Sequence, residues 1–261
     1  MDAIYRIETG GGPRHVVRRD DAWHGIDGDL FGAYSVGERL DLSAPRVLAP
    51  VAPSKVVAVG LNYKDHAAEM NKPLPAEPLI FLKPSTSVIG PDDDIVLPAG
   101  AGRVDYEAEV GVVISRVARH VPAARAHEYV LGLTCVNDVT DRDLQKRDVQ
   151  YTRAKGFDTF CPMGPAIVPL DLDQPIGVRS TLNGEVRQDS STRELIFQIR
   201  QVIEFVTAVM TLLPGDVIST GTPPGVGPLA VGDRISVAVD GVGEVANNVV
   251  SSAGTTSGSD A

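Results

Sequence analysis

Val104-Asp105-Tyr106-Glu107-Ala108-Glu109-Val110-Gly111-Val112-Val113-Ile114 carries a strand-like alternation with two acidic residues set into it. Successive side chains of a strand point to opposite faces. That puts Tyr106, Ala108, Val110, Val112 and Ile114 on one side and Glu107 with Glu109 on the other. Two carboxylates at i and i+2 repel unless water or a cation stands between them. One explanation is the solvated outer face of an antiparallel sheet. The other is a site for a hard divalent cation, which takes oxygen ligands. The pair by itself leaves both open.

Working outward, the chain predicts many short strands and few helices. Lys55-Val56-Val57-Ala58-Val59-Gly60 and Leu79-Ile80-Phe81-Leu82 are short apolar runs of the buried-strand type, and Gly90-Pro91-Asp92-Asp93-Asp94 is a turn. Residues 129–136 form another apolar strand, and 216–220, 234–239 and 243–250 alternate like strands. The clearest helix spans 195–212, where Ile199, Val202, Ile203, Val206, Val209 and Met210 recur at helical spacing. With 26 glycines and 19 prolines to make turns, the expectation is an α+β chain that is predominantly β. Residues 1–49 read as a small β-rich N-terminal domain and 50–250 as the main domain. The Ser/Gly/Thr-rich 251–261 reads as a disordered tail.

The net charge of −10 argues against general affinity for nucleic acid or anionic membranes. It leaves anionic small substrates open, because a metal ion inverts the field of its own site. Two cysteines, Cys135 and Cys161, make no CxxC pair, so a reducing cytoplasm is the expected setting. The first residues lack a signal-peptide core, and no apolar run approaches the ~20 residues that span a bilayer.

Four further segments carry chemistry. Asn137-Asp138-Val139-Thr140-Asp141-Arg142-Asp143-Leu144-Gln145 follows the strand at 129–136. Asp138 thus sits where strand gives way to turn. Read as helical beyond that point, the segment sets Asp138, Arg142 and Gln145 on one face, either to seat a metal beside a substrate carboxylate or merely as a cap with a surface ion pair. In Asn62-Tyr63-Lys64-Asp65-His66-Ala67-Ala68-Glu69, His66 and Glu69 share a helical face, where the carboxylate can orient the imidazole as a general base. The prolines at 73, 75 and 78 suggest a loop able to close over a site. Arg153-Ala154-Lys155-Gly156-Phe157-Asp158 is a substrate-charge clamp or a solvated turn. Thr220-Gly221-Thr222-Pro223-Pro224-Gly225-Val226-Gly227 is a rigid loop whose amides could face an anion, but it lacks a P-loop ending. No G-x-S-x-G, H-E-x-x-H or helix-opening G-x-G-x-x-G occurs.

Taken in order, Asn-Tyr-x-x-His-x-x-Glu, Tyr-Glu-x-Glu, Asn-Asp-x-Thr-x-Arg-Asp-x-Gln, Lys-Gly-Phe-Asp and Thr-Gly-Thr-Pro-x-Gly-Val-Gly resemble the fumarylacetoacetate hydrolase family over roughly residues 50–250. The resemblance implies a mixed β-roll and a Mg²⁺ or Mn²⁺ ion on Glu107, Glu109 and Asp138, with Ca²⁺ as a structural substitute. It implies a water-activating dyad of His66 and Glu69 on a mobile lid. Lys155 becomes the candidate for stabilising developing negative charge, with Arg142, Gln145 and Thr222 at substrate-binding positions. A homodimer is implied as well, and the substrate is expected to be a small anionic 2-oxo acid. Hydrolysis of a C–C bond in an acylpyruvate-type 2,4-dioxo acid ranks first. Isomerisation of a 2-hydroxy-dienoate or decarboxylation of an oxaloacetate-type acid comes next, because fold alone does not choose among them. A catalytically inert metal- or partner-binding protein is the remaining class.

Overall fold

The computed structural model describes residues 2–69, 71 and 73–252. Strand Ala108–Ile114 is buried along its whole length, because both of its faces are covered. Ala108, Val110, Val112 and Ile114 point into the largest apolar cluster, while Val113 belongs to a second cluster on the opposite face with Ile4, Val56, Val136 and Ile167. A sheet covered on both sides needs apolar residues on both faces, which explains the near-continuous apolar run.

This strand lies inside a long mixed sheet. Its neighbours are Val130–Asn137 on one side and Val217–Ser219 on the other, both antiparallel. Val217–Ser219 pairs in parallel with Lys55–Gly60, and that strand pairs with the edge strand Leu79–Pro84. In the other direction Cys161–Val168 follows, then Ala3–Ile7 and the N-terminal hairpins, joined at Ile4 opposite Ile167. A second sheet contains Gly177–Leu182, Glu185–Ser191, Arg234–Val239 and Gly243–Ser251. Its Val178, Val237, Val239 and Val245 fill the largest cluster from the far side. The fold is thus predominantly β with mixed sheets and a few short helices, as expected.

Helix α1 spans Lys64–Glu69, α2 Arg142–Asp148, α3 Thr152–Lys155 and α4 Ile199–Val209. The last is shorter than the predicted 195–212 at both ends. The Gln198 amide donates to the Gln201 side chain at 2.9 Å, which fixes the start. At the far end Leu212 exchanges two backbone hydrogen bonds with Ala118, and that pairing requires an extended chain. Of the tail expected to be disordered, Ser251 closes the final strand and residues 253–261 lie outside the described residues. Among the described residues no helix is long and apolar enough to cross a membrane.

Candidate active site

The predicted strand 104–114 is in fact two strands. Val104–Tyr106 pairs with Thr140–Asp141 and Gly227–Pro228 in a small sheet, whereas Ala108–Ile114 belongs to the long one. The neighbouring chain changes sheets at the same level, between Asn137 and Thr140. At this corner Glu107 faces Asp138. The Glu107 amide donates to the Asn137 side chain at 3.0 Å, and the Asp138 amide donates to the Glu107 carbonyl at 2.9 Å. Glu109 stands one pleat further along the strand. One carboxylate oxygen of each of Glu107, Glu109 and Asp138 lies within 4.8 Å of the others. All three are at most 5% exposed, so the solvated outer face is excluded.

Asp138 lies just past the strand that ends at Asn137, where strand was expected to give way to turn, and it does not share a helical face with Arg142 and Gln145. The helix starts at Arg142, and Asp141 caps it by accepting from the amides of Asp143 and Leu144. Arg142 and Gln145 do share one face of α2, with a guanidinium N–H donating to the Gln145 side chain at 3.0 Å. The Arg142 guanidinium also pairs with Glu107 at 2.6 Å and with Asp105 at 2.9 Å.

Burying three carboxylates demands compensating charge. Lys155 on α3 is 3% exposed and bridges Glu107 Oε2 at 2.7 Å and Asp138 Oδ2 at 2.6 Å, so it is not a solvated turn. Its ammonium also sits 4.9 Å from the centre of the Phe81 ring. A second buried cation is Lys83, on the edge strand. It donates to Asp138 Oδ1 at 2.5 Å and to the Val139 carbonyl at 3.3 Å. Burial works against the charge on Glu107, but Lys155 and Arg142 outweigh it and hold the carboxyl down to about 2. Glu109 goes the other way. Burial, then the charges of Asp138 and Glu107, push its carboxyl up to about 8. In Lys155, burial opposes the charge while Asp138 and Glu107 raise the pKa. A divalent cation suits this donor set, since it relieves the repulsion that Glu109 feels and takes oxygen ligands.

A cavity of about 680 Å³ opens onto Glu107, Glu109, Arg142 and Lys155 and is also lined by His66, Glu69, Gln145 and Thr222, with Asp138 buried behind Glu107 and Lys155. The site residues expected from the sequence therefore converge on one place. On α1 the His66 ring nitrogen Nδ1 lies 3.0 Å from Glu69 Oε2. His66 is buried and the Glu69 side chain is half-exposed. The glycine-rich loop uses its amide internally: Gly221 N–H donates to Glu109 Oε2 at 2.9 Å, beside a 2.5 Å bond from Ser219. Gly221 has φ +97°, and an added Cβ would stand 2.7 Å from Asn62, so only glycine fits there. The Thr222 hydroxyl donates to the Ala108 carbonyl at 2.9 Å and accepts from Gln188 at 2.8 Å.

Sequence reading missed Lys83, Asp105, Asn137, Gln188 and Ser219. For Lys83 a signal existed, since a lysine at the end of an apolar run (Leu79-Ile80-Phe81-Leu82-Lys83) is a charge carried into a sheet. The others are ordinary polar residues until the fold turns them inward.

Fold and site together define an enzyme class in which a buried carboxylate triad stands at a cavity that a histidine–glutamate pair also lines. The chain belongs to the fumarylacetoacetate hydrolase family, matching its C-terminal domain over residues 55–250. It is 43% identical over 216 residues to the human mitochondrial oxaloacetate tautomerase FAHD2A, covering 78% of this chain and 69% of that one. Among solved structures, it resembles a 5-carboxymethyl-2-hydroxymuconate delta-isomerase from Mycobacterium smegmatis. That match has 46% identity and a TM-score of 0.89, covering 95% and 99% of the two chains. It also resembles a fumarylpyruvate hydrolase from Pseudomonas aeruginosa in complex with Mn²⁺ and pyruvate. There the identity is 31% and the TM-score 0.72, with 80% and 92% covered.

Proposed function

We propose that this chain is a Mg²⁺- or Mn²⁺-dependent enzyme that moves a proton on a small anionic 2-oxo acid, isomerising or tautomerising it. The observation that carries the reading is the convergence of the His66–Glu69 pair on the cavity that Glu107 and Glu109 line, with the Asp138 carboxylate within 4.8 Å of both. Glu107, Glu109 and Asp138 would hold the cation, which supplies Lewis-acid stabilisation of negative charge on the substrate oxygens. Four carboxylates (Asp105, Glu107, Glu109 and Asp138) face four cations (Lys83, Arg103, Arg142 and Lys155). A bound dication leaves the site positive, which favours an anionic substrate. With Glu69 accepting from Nδ1–H, His66 keeps Nε2 as the base that takes a proton from carbon next to the keto group. Arg142 and Gln145 bind the substrate carboxylate.

Names of relatives support proton movement over bond cleavage. Those at 43% and 46% identity are a tautomerase and an isomerase, while two hydrolases stand at 34% and 31%. Hydrolysis of an acylpyruvate-type 2,4-dioxo acid, the first expectation from the sequence, is the second reading. In it His66 takes its proton from water, and the cavity is roomy enough for acid and water together, at ~30 Å³ per water.

The deciding experiment incubates chelator-treated, metal-repleted protein with enol oxaloacetate, a 2-hydroxy-dienoate and an acylpyruvate, and identifies products by NMR. Tautomer or isomer formation that falls by about 10²–10⁴-fold in His66→Ala supports the first reading. Pyruvate release from the acylpyruvate, lost in the same variant, selects the second. No turnover of any of the three, with metal bound, rejects both.

A further inference from the structure

The loop after Val217–Ser219 reaches the segment that carries His66 through the peptide group between Thr220 and Gly221. The Thr220 carbonyl accepts from the Asn62 side-chain amide at 2.8 Å, and the N–H of the same peptide group, that of Gly221, donates to Glu109 Oε2 at 2.9 Å. Thr220 is also fixed to the strand of Glu109, since its N–H and its hydroxyl both donate to the Val110 carbonyl. So close an approach needs glycine at 221, where an added Cβ would stand 2.7 Å from that of Asn62.

Asn62 is fully buried and does not line the cavity, so it does not meet the substrate. Both ends of its side chain are used. Nδ2 donates as well to the Phe197 carbonyl at 3.1 Å, and Oδ1 accepts from the Phe197 N–H at 2.8 Å, which settles which end of the amide is oxygen. Its backbone carbonyl accepts from the Ile196 N–H at 2.8 Å. Leu61, the residue before it, has φ +46°, a conformation unfavourable for a residue with a Cβ. Helix α1 begins two residues later, and at six residues it is too short to hold itself. Tyr63 pairs with Leu195, and Asp65 accepts from Ser190 at 3.2 Å, but neither bond reaches the Thr220–Gly221 loop. The place of His66 relative to that loop therefore depends on where Asn62 is pinned.

Resting on the reading of His66 as the base, we propose that Asn62 is a positioning residue that sets the place of His66 relative to Glu109. One side of the Thr220–Gly221 peptide holds a carboxylate of the triad, and the other holds the segment that aims the imidazole. Metal binding does not need this link, because Ser219 and the Gly221 N–H hold Glu109 without Asn62. Proton transfer does need it, because a misplacement of ~1 Å at a reacting group costs roughly 10²-fold in rate.

The test compares full-length wild type, Asn62→Ala and Asn247→Ala. Asn247 is a like residue that does not line the cavity, buried and donating to the carbonyls of Gly90 and Asp93. Hydrogen exchange is read by mass spectrometry on peptides covering 61–69 and 108–114, Mn²⁺ binding by EPR, and kcat and KM on whichever of the three acids is turned over. In Asn62→Ala, exchange over 61–69 is expected to be about tenfold faster, with 108–114 changed by less than about twofold. Its kcat is expected to fall by about 10–10²-fold, with KM and Mn²⁺ affinity within about threefold of wild type. Asn247→Ala is expected to show neither change. Unchanged exchange over 61–69, or faster exchange with kcat unchanged, overturns the proposal. An equal loss of kcat in Asn247→Ala overturns it too, since that is general loosening. If Asn62→Ala does not fold by circular dichroism, Asn62→Asp decides on the same criteria, because it keeps the bond from the Phe197 N–H and loses the donor to Thr220. If wild type turns over none of the three acids, the reading of His66 as base falls, and exchange alone decides whether Asn62 pins α1.

Discussion

Asp138 and Glu107 are joined through their backbones, the amide of Asp138 donating to the carbonyl of Glu107 at 2.9 Å where both chains pass from one sheet to another. Main-chain and Asn137 bonds hold the corner, so neither carboxylate is needed to build it. Both side chains remain available to cations. Lys155 bridges them, and Lys83 takes the second oxygen of Asp138.

The carboxylates of the triad should therefore differ in their worth to the metal-free fold. Asp138→Asn strips two buried lysines of a partner and is expected to cost about 3–5 kcal/mol. Glu109→Gln removes a repelled carboxylate and is expected to change stability by no more than about 1 kcal/mol. Urea unfolding in chelator at neutral pH checks both. Both variants are expected to lose metal binding.

Glu109 also makes a pH dependence visible. Its carboxyl is raised from 4.5 to about 8 in the metal-free fold, so the folded state binds the extra proton between those values. The stability this contributes is full below the unfolded pKa and is lost as pH rises toward 8. Wild-type stability measured in chelator is thus expected to fall relative to Glu109→Gln between pH 5 and pH 8. A constant difference across that range would show that Glu109 is ionised throughout.

Asp216 behaves with the opposite sign. Its inaccessible carboxylate accepts from the Ser54 amide and hydroxyl, the Lys55 amide and ammonium, and the Leu213 amide. Burial opposes its charge, but the Leu213 amide, Lys55 and Ser54 carry its pKa below the usual 3.8. The resulting stability is present above that value and is lost as pH falls through the depressed folded pKa. Asp216→Ala is expected to cost on the order of 3 kcal/mol at neutral pH and to flatten the acid limb of the stability profile, read by denaturant unfolding from pH 6 to pH 2.

Cys135 and Cys161 are expected to be unreactive in the folded protein. Both are buried, and burial raises both thiols, Cys161 to about 12 and Cys135 higher. The thiolate is the reactive form. A chromogenic disulfide reagent at pH 8 should report two thiols in denaturant and none without it.

Period-two alternation marked Ala108–Ile114, Val217–Ser219, Arg234–Val239 and Gly243–Ser251, and short apolar runs marked Lys55–Gly60, Leu79–Pro84 and Val130–Asn137. The order of the motifs named residues that line the site, while strands such as Cys161–Val168 and Gly177–Leu182 were not legible. What it missed follows from how the chain turns. Residues 104–114 read as one strand because alternation runs unbroken through Glu107, and only its exchange of partners divides it in two. Asp138 read as the point where strand gives way to turn, as it is, but the helix read beyond it begins only at Arg142, because Asp141 caps it there.

By itself the sequence determined that Glu107 and Glu109 share one side of the extended chain, since alternate residues in such a chain point the same way. Whether that side met water or a buried cluster was beyond it. The tertiary structure decided this by bringing Asp138 within reach from 31 residues away and Lys83 from an edge strand 24 residues back. Buried charge is tolerated only where its partners converge, and convergence depends on how strands pair, which no local pattern records.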